Sequence, residues 1–383
     1  MELQGFGNGS DGPLTISSNT TEAPIDSSCS GVASSFSLSA TNALFTDDKL
    51  IMIHQTRGSG AGSWEFNFID SYVAGTITTQ FPLVNTYTDS GASQAQVRVV
   101  PQYSKVVIQS GAAYKAKDWN QNVGGILAML VAGEFINEGT VHVNGGSGSS
   151  VQLNNSVGGR GTGGGFYGGY AHCGSGTGQG YQGEGTSGAG GQTYSANGNG
   201  GGGGQSTSAP GANPGGGGGN GTAGQTGNKD GNGNAGVGGS VSGNADLSVS
   251  MTFGGGGGGG GRESINNAGG GGAGGGIILI WAESITTSVG SIQSIGGNGG
   301  NVSDRRSGGG GGAGGSIFLR AVQMTIGSNR IIATGGSGDE GGVGGNGRIR
   351  LESCALSGST TQGSVSTVTG GFDFCQTMIH IYG

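Results

Sequence analysis

Residues 268–300 read AGGGGAGGGIILIWAESITTSVGSIQSIGGNGG, and residues 308–338 repeat the same order as GGGGGAGGSIFLRAVQMTIGSNRIIATGGSG. Each copy is a glycine run, an apolar strand, a polar turn, a second strand and more glycine. Aligning Ala273-Gly274-Gly275 with Ala313-Gly314-Gly315 spaces the copies 40 residues apart. A shorter copy, GGVGGNGRIRLESCALSG, begins at Gly341, and a degenerate one, GGILAMLVAGEFINEGTVHVNGGSG, runs from Gly124 to Gly148. Repeats of this length cannot bury an apolar face alone and must stack on one another. The pattern predicts an all-β chain organised as a parallel β-helix-like solenoid.

The glycine between the strands is structural material. It supplies 97 of 383 residues, eight of them consecutive from Gly254 to Gly261, while charged residues make up only 10% and prolines number six. Disordered chains are usually rich in charge and proline, and collagen needs a sustained Gly-X-Y register. Residues 145–250, dominated by Gly, Ser, Asn, Thr and Gln, read either as a flexible linker or as packed polyglycine II-like segments whose amides pair with neighbouring segments. The near-absence of charge favours packing.

Outside the repeat, residues 35–103 carry short runs of alternating apolar residues such as DKLIMIHQT, SWEFNFIDSYV and AQVRVVPQY. Their spacing predicts a small barrel or sandwich of about five strands, with Trp64, Phe66, Phe68 and Phe81 filling its core. LTIS at residues 14–17 and VVIQ at residues 106–109 read as successive rungs, which makes the barrel an insertion near one end of the solenoid. The predicted organisation is therefore an N-terminal segment with the first rung (1–34), the barrel (35–103), the glycine-rich solenoid (104–371) and a C-terminal strand (372–383). Ile379 and Ile381 share one face of that last strand.

Net charge is −7 with 15 basic residues, which gives nucleic-acid phosphates little to bind. No apolar run approaches the roughly 20 residues of a membrane span. The four cysteines form no Cys-x-x-Cys pair and no zinc-ligand spacing. Two disulfides are expected, Cys354 with Cys375 and, by subtraction, Cys29 with Cys173, in an extracellular setting. Met1 to Gln4 do not read as a secretory leader, so a mature or trimmed form is expected.

No enzyme is expected. Glycine motifs carry no Gly-Lys-Ser or Gly-Lys-Thr, and the scattered histidines His54, His142, His172 and His380 have no Ser or Cys partner in a recognisable nucleophile context. The carboxylates Glu263, Glu283, Asp304, Asp339, Glu340 and Glu352 fall mostly in turns rather than as an opposed pair. Asp230-Gly231-Asn232-Gly233-Asn234 offers alternating oxygens but no closing acid. Neither a metal site nor a cofactor is predicted.

The combination of GGGGAGGSIFLRA, GSNRIIATGGSG, GGVGGNGRIRLE and the upstream IMIHQT, WEFNFI and VPQYSKVVIQSGA resembles the glycine-rich secreted β-solenoid proteins of bacteria, some of them implicated in extracellular filaments. The glycine runs alone are also similar to the polyglycine domains of phage tail-fibre adhesins. The first resemblance implies a secreted structural subunit that polymerises with itself end to end. Each end of a solenoid presents an unpaired rung, so head-to-tail contact by rung stacking or strand donation is expected through Leu3, Phe6, Phe372, Phe374, Ile379 and Ile381, with matrix glycans as further partners. The second implies an adhesin that binds glycans or receptors through the aromatic-bearing loops between residues 160 and 200.

Overall fold

The computed structural model describes residues 5–151, 156–174, 178–207, 211–230, 232–263, 267–302, 307–370 and Cys375. Parallel strands stack in seven successive rungs. They begin with Pro13–Ile16, Lys105–Ile108, Ile126–Asn137 and Ile277–Thr287, and continue with Ser316–Ile326, Arg348–Ser357 and Ser364–Thr369. A second parallel sheet of short strands, Thr20–Thr21, Ala113–Lys115, Thr140–His142, Ser291–Gln293 and Ile331–Ile332, faces the first. Between them lies the solenoid core, running from Ile16 through Leu127, Ile278 and Ile317 to Leu351.

The rungs do not pair at the 40-residue spacing at which the glycine runs align in sequence. Ile278 lies beside Ile317 and Ala282 beside Ala321, an offset of 39 (317 − 278). An offset of 40 would set Ile277, on the outer face, beside Ile317, on the inner. A one-residue slip turns every side chain over, so burial of the apolar faces fixes the register, and the glycine run keeps it, with the amides of Gly269, Gly272 and Gly275 donating to Ser307, Gly310 and Ala313. The long strands show two textures for the same reason. IILIWA in Ile277–Thr287 is buried on both faces, whereas ESITT alternates. Continuous apolar sequence belongs to sheet covered on both sides, and alternation to sheet with one wet face.

The barrel is an insertion between the first and second rungs, as Leu14 opposite Val106 and Ile16 opposite Ile108 show. It has six antiparallel strands, ordered Asp26–Gly31, Ser37–Ala40, Thr76–Thr79, Trp64–Val73, Leu50–Arg57 and Gln94–Val99 around the ring. It therefore starts earlier than residue 35. Its core is aliphatic, built on Leu38, Ile51, Ile53, Ile69, Ile77 and Val97 together with Tyr87 and Phe45. The aromatics expected there lie elsewhere. Phe66 is buried against Trp281 of the solenoid, with ring centroids 5.3 Å apart. Trp64 and Phe68 pack on the same cluster, and Phe81 is exposed.

The glycine-rich residues are ordered by backbone pairing. Within Gly254–Gly261 the amides of Gly254, Gly257 and Gly260 donate to Gly275, Gly272 and Gly269. Those of Gly255 and Gly258 donate to Gly219 and Gly216, and those of Gly256 and Gly259 to Glu184 and Tyr181. The carbonyls accept from three further segments, at Gly169 and His172, Gly310 and Ala313, and Gly201 and Gly204. Partners recur every third residue, as in polyglycine II, and the run is bonded to six neighbours at 2.7–3.0 Å. Such spacing leaves no volume for a side chain. A methyl placed on Gly258 would overlap the carbonyl oxygen of Gly202, and one on Gly256 that of Tyr167.

Barrel, solenoid and glycine lattice meet on the outer face of the long strands. Trp119, Phe166 and Phe253 pack edge to face there, together with Leu50, Met251, Leu279 and Phe318. His54 of the barrel stacks on Phe253 at 6.0 Å. Its Nε2 donates to the Met251 carbonyl at 2.8 Å, and Nδ1 then accepts from the Thr56 hydroxyl at 3.0 Å. Burial lowers its pKa from 6.5 to about 4, although the Met251 carbonyl pulls the other way.

Two outcomes follow from these contacts. Gly258→Ala should cost about 3 kcal/mol or more, since overpacking here strikes backbone. Gly191→Ala should stay within about 0.5 kcal/mol, because only the flexible Gln182 side chain lies near a methyl there; urea midpoints of the two variants check this. His54 is depressed in the folded state, so its contribution to stability is intact above pH 6.5 and is lost as pH falls to about 4. The loss should reach about 3 kcal/mol. It should appear in the difference between wild-type and His54→Gln stability curves, and a flat difference across that window would contradict a neutral buried imidazole.

Candidate functional site

On the outside of the glycine lattice stands a cluster of half-buried large side chains, of which Tyr167 rests on the outer-face core while Tyr170 and Tyr181 join no core cluster. Segments 167–170 and 181–184 run antiparallel, with the Tyr181 amide donating to the Tyr170 carbonyl at 2.9 Å and the Glu184 amide to the Tyr167 carbonyl at 2.8 Å. With three residues per turn, positions i and i+3 share a face. Tyr167 and Tyr170 therefore stand together, and Tyr181 meets Tyr170 edge to face at 6.0 Å. The Arg160 guanidinium stacks over both Tyr167 and Tyr170, at 4.6 and 4.2 Å from the ring centroids. Among the described residues it forms no salt bridge. Gln182 and Gln192 border the cluster, their amides bonded to the Ser195 and Gln179 carbonyls.

Glu184 anchors this platform from beneath. It is 1% exposed and pairs with Arg57 of the barrel. It also accepts from Trp119 Nε1 at 2.9 Å and from the Tyr167 amide at 3.1 Å. Burial raises its pKa, with the Arg57 charge and these hydrogen bonds opposing the rise. A buried carboxylate held by a guanidinium, an indole and an amide fixes the segment bearing Tyr181 to the barrel. Burial likewise raises Tyr167, and the Arg160 charge offsets part of that.

The structure separates several residues that the sequence suggested together. Phe166, within the aromatic stretch, is buried in the outer-face cluster and offers no contact surface. Cys354 and Cys375 are joined, tying the sixth rung to the chain beyond the seventh. Cys29 and Cys173 are not joined: Cys29 sits in the barrel core and Cys173 beside Ala171 and Ala268 in the lattice. Phe6 is half-buried against the outer-face cluster. Leu3, Phe372, Phe374, Ile379 and Ile381, and His380 with them, lie outside the described residues.

The histidines are likewise apart, with His54 in the barrel, His142 on the solenoid, and His172 in the lattice, where its Nδ1 accepts from the Gln179 amide at 3.2 Å. Glu352 is clamped between Arg320 and Arg350 at 2.6 Å each. No group of acids, histidines or cysteines suited to a metal occurs among the described residues, and no helix there is long and apolar enough to cross a membrane. Arg160 was not singled out from sequence. The available signal was that it is the single arginine in residues 145–250, seven positions from a tyrosine pair at spacing three.

No family model matches the chain, and no curated protein matches it either. Among solved structures, it aligns with the Gp54 tailspike of Acinetobacter baumannii bacteriophage AP22, determined in complex with A. baumannii capsular saccharide. The identity is 9% and the TM-score 0.19, over 93% of this chain and 60% of the tailspike. A second alignment, to the tailspike protein gp49 of Pseudomonas phage LKA1, has 9% identity and a TM-score of 0.20 over 94% of this chain and 67% of the other. The chain thus spans about 60% of the length of the first tailspike. Likenesses at this level carry no argument about what the chain binds.

Proposed function

We propose that the protein is an extracellular adhesin that binds saccharide through the platform of Arg160, Tyr167, Tyr170 and Tyr181. The observation that carries this reading is the cluster itself: three half-buried rings and a guanidinium held on a bonded glycine scaffold, with Tyr167 resting on the outer-face core and Tyr170 and Tyr181 outside every core cluster of the described residues. Rings fixed in this way supply contact area at low entropic cost, and sites built on rigid elements hold their geometry. The Cys354–Cys375 disulfide supports an oxidising, extracellular setting.

A second reading, the subunit of a head-to-tail filament, is favoured by a separate feature. Among the described residues the long parallel sheet ends in strands paired on one side only, Pro13–Ile16 and Ser364–Thr369, and neither carries a charge. Bare edges of this kind are a template for pairing with another chain.

The adhesin reading is tested by measuring saccharide binding of the wild type and of Tyr170→Ala with Tyr181→Ala on immobilised bacterial polysaccharides. The double variant should bind about tenfold more weakly, near 1.4 kcal/mol, with an unchanged unfolding midpoint. Equal binding by the folded variant would remove the platform from the function.

A further inference from the structure

The two ends of the solenoid are complementary to each other, and this inference rests on the second reading above. In the first rung, Leu14 and Ile16 point into the core, opposite Val106 and Ile108. Thr15, between them, faces outward. In the seventh rung, Val365 and Thr367 lie opposite the core residues Ile349 and Leu351 and so continue the inward face, whereas Ser366 lies opposite Arg350 on the outer face. Val365 is 38% exposed, because no described strand follows it in the sheet. Among the described residues, none covers the apolar interior at this end.

Both edge strands run in the same sense within one all-parallel sheet, so a second copy translated along the solenoid axis presents its first rung to the seventh in the sense already used between rungs six and seven. Edges that must stay monomeric are commonly blunted by charge, a bulge or mid-strand proline. The sequences PLTI and SVSTVT have none of these beyond Pro13 at the first position. Inward residues must meet inward residues, because a one-residue slip would expose the whole set.

We infer that a second copy of this chain adds its strand Pro13–Ile16 to Ser364–Thr369 in parallel, with Leu14 beside Val365 and Ile16 beside Thr367, so that copies assemble by translation. A heterologous contact of this kind does not close and gives a filament.

The register places Thr15 of one copy beside Ser366 of the next, on the outer face. Within one copy the two residues stand on opposite edges of the sheet, six strand spacings or roughly 30 Å apart. The full chain carrying both Thr15→Cys and Ser366→Cys should therefore form, on mild oxidation, a ladder of covalent multimers on a non-reducing gel. The native cysteines do not compete, being buried or already bonded. Val365→Asp, tolerable in the single copy because that position meets water, should shift sedimentation from polymer to folded monomer. Filaments in negative stain with no ladder, and no response to Val365→Asp, would overturn this register while leaving the filament reading standing. Monomers at every concentration tested would remove both.

Discussion

Every backbone amide taken from water needs a partner, and in the run Gly254–Gly261 that requirement is met by six surrounding segments at once. The rest of the molecule follows from the spacing this demands. Neighbouring backbones stand so close that a methyl on most of these glycines would overlap another residue's carbonyl. Glycine is needed here for the volume it leaves empty, since none of Gly254 to Gly261 has a left-handed backbone. Ordering glycine is entropically costly, and dense amide pairing together with water exclusion offsets that cost.

Side chains return where the lattice ends, and they do so in two ways. Against the solenoid they are large and apolar: Phe166 and Phe253 fill the seam between bare backbone and the doubly covered halves of the long strands. On the outside they are tyrosines at spacing three. The same threefold periodicity thus sends Phe166 inward and its neighbours Tyr167 and Tyr170 outward, and it places Glu184 under the platform, where Arg57 can reach it. The barrel, an insertion by topology, is thereby bound to the lattice by an ion pair and to the solenoid by aromatic packing.

Much of this was legible in the sequence. The kinship of LTIS and VVIQ places the barrel between rungs, and the glycine-strand-glycine repeat gives the solenoid. The register was not legible, because glycines align at 40 while side-chain burial demands 39. The first barrel strand, Asp26–Gly31, was missed since DSSCSG has no apolar alternation. Trp64, Phe66 and Phe68 share a parity, which says they share a face; only the docked solenoid decides that this face is the outer one. Counting cysteines could not reveal that Cys29 and Cys173 belong to separate interiors. The platform depended on knowing which segments of the lattice are neighbours, and no local pattern encodes that.

The six-way bonding of the glycine run has a mechanical corollary. A β-sheet resists tearing within its plane but peels readily across it, because its hydrogen bonds lie in one layer. A strand tied to neighbours in every lateral direction has no such weak plane. A load applied at Tyr170 passes to Tyr181, whose amide donates to the Tyr170 carbonyl, and from Tyr181 to Gly259, whose amide donates to the Tyr181 carbonyl. The lattice is therefore bonded on every side of the run, with no single layer of hydrogen bonds along which it would peel.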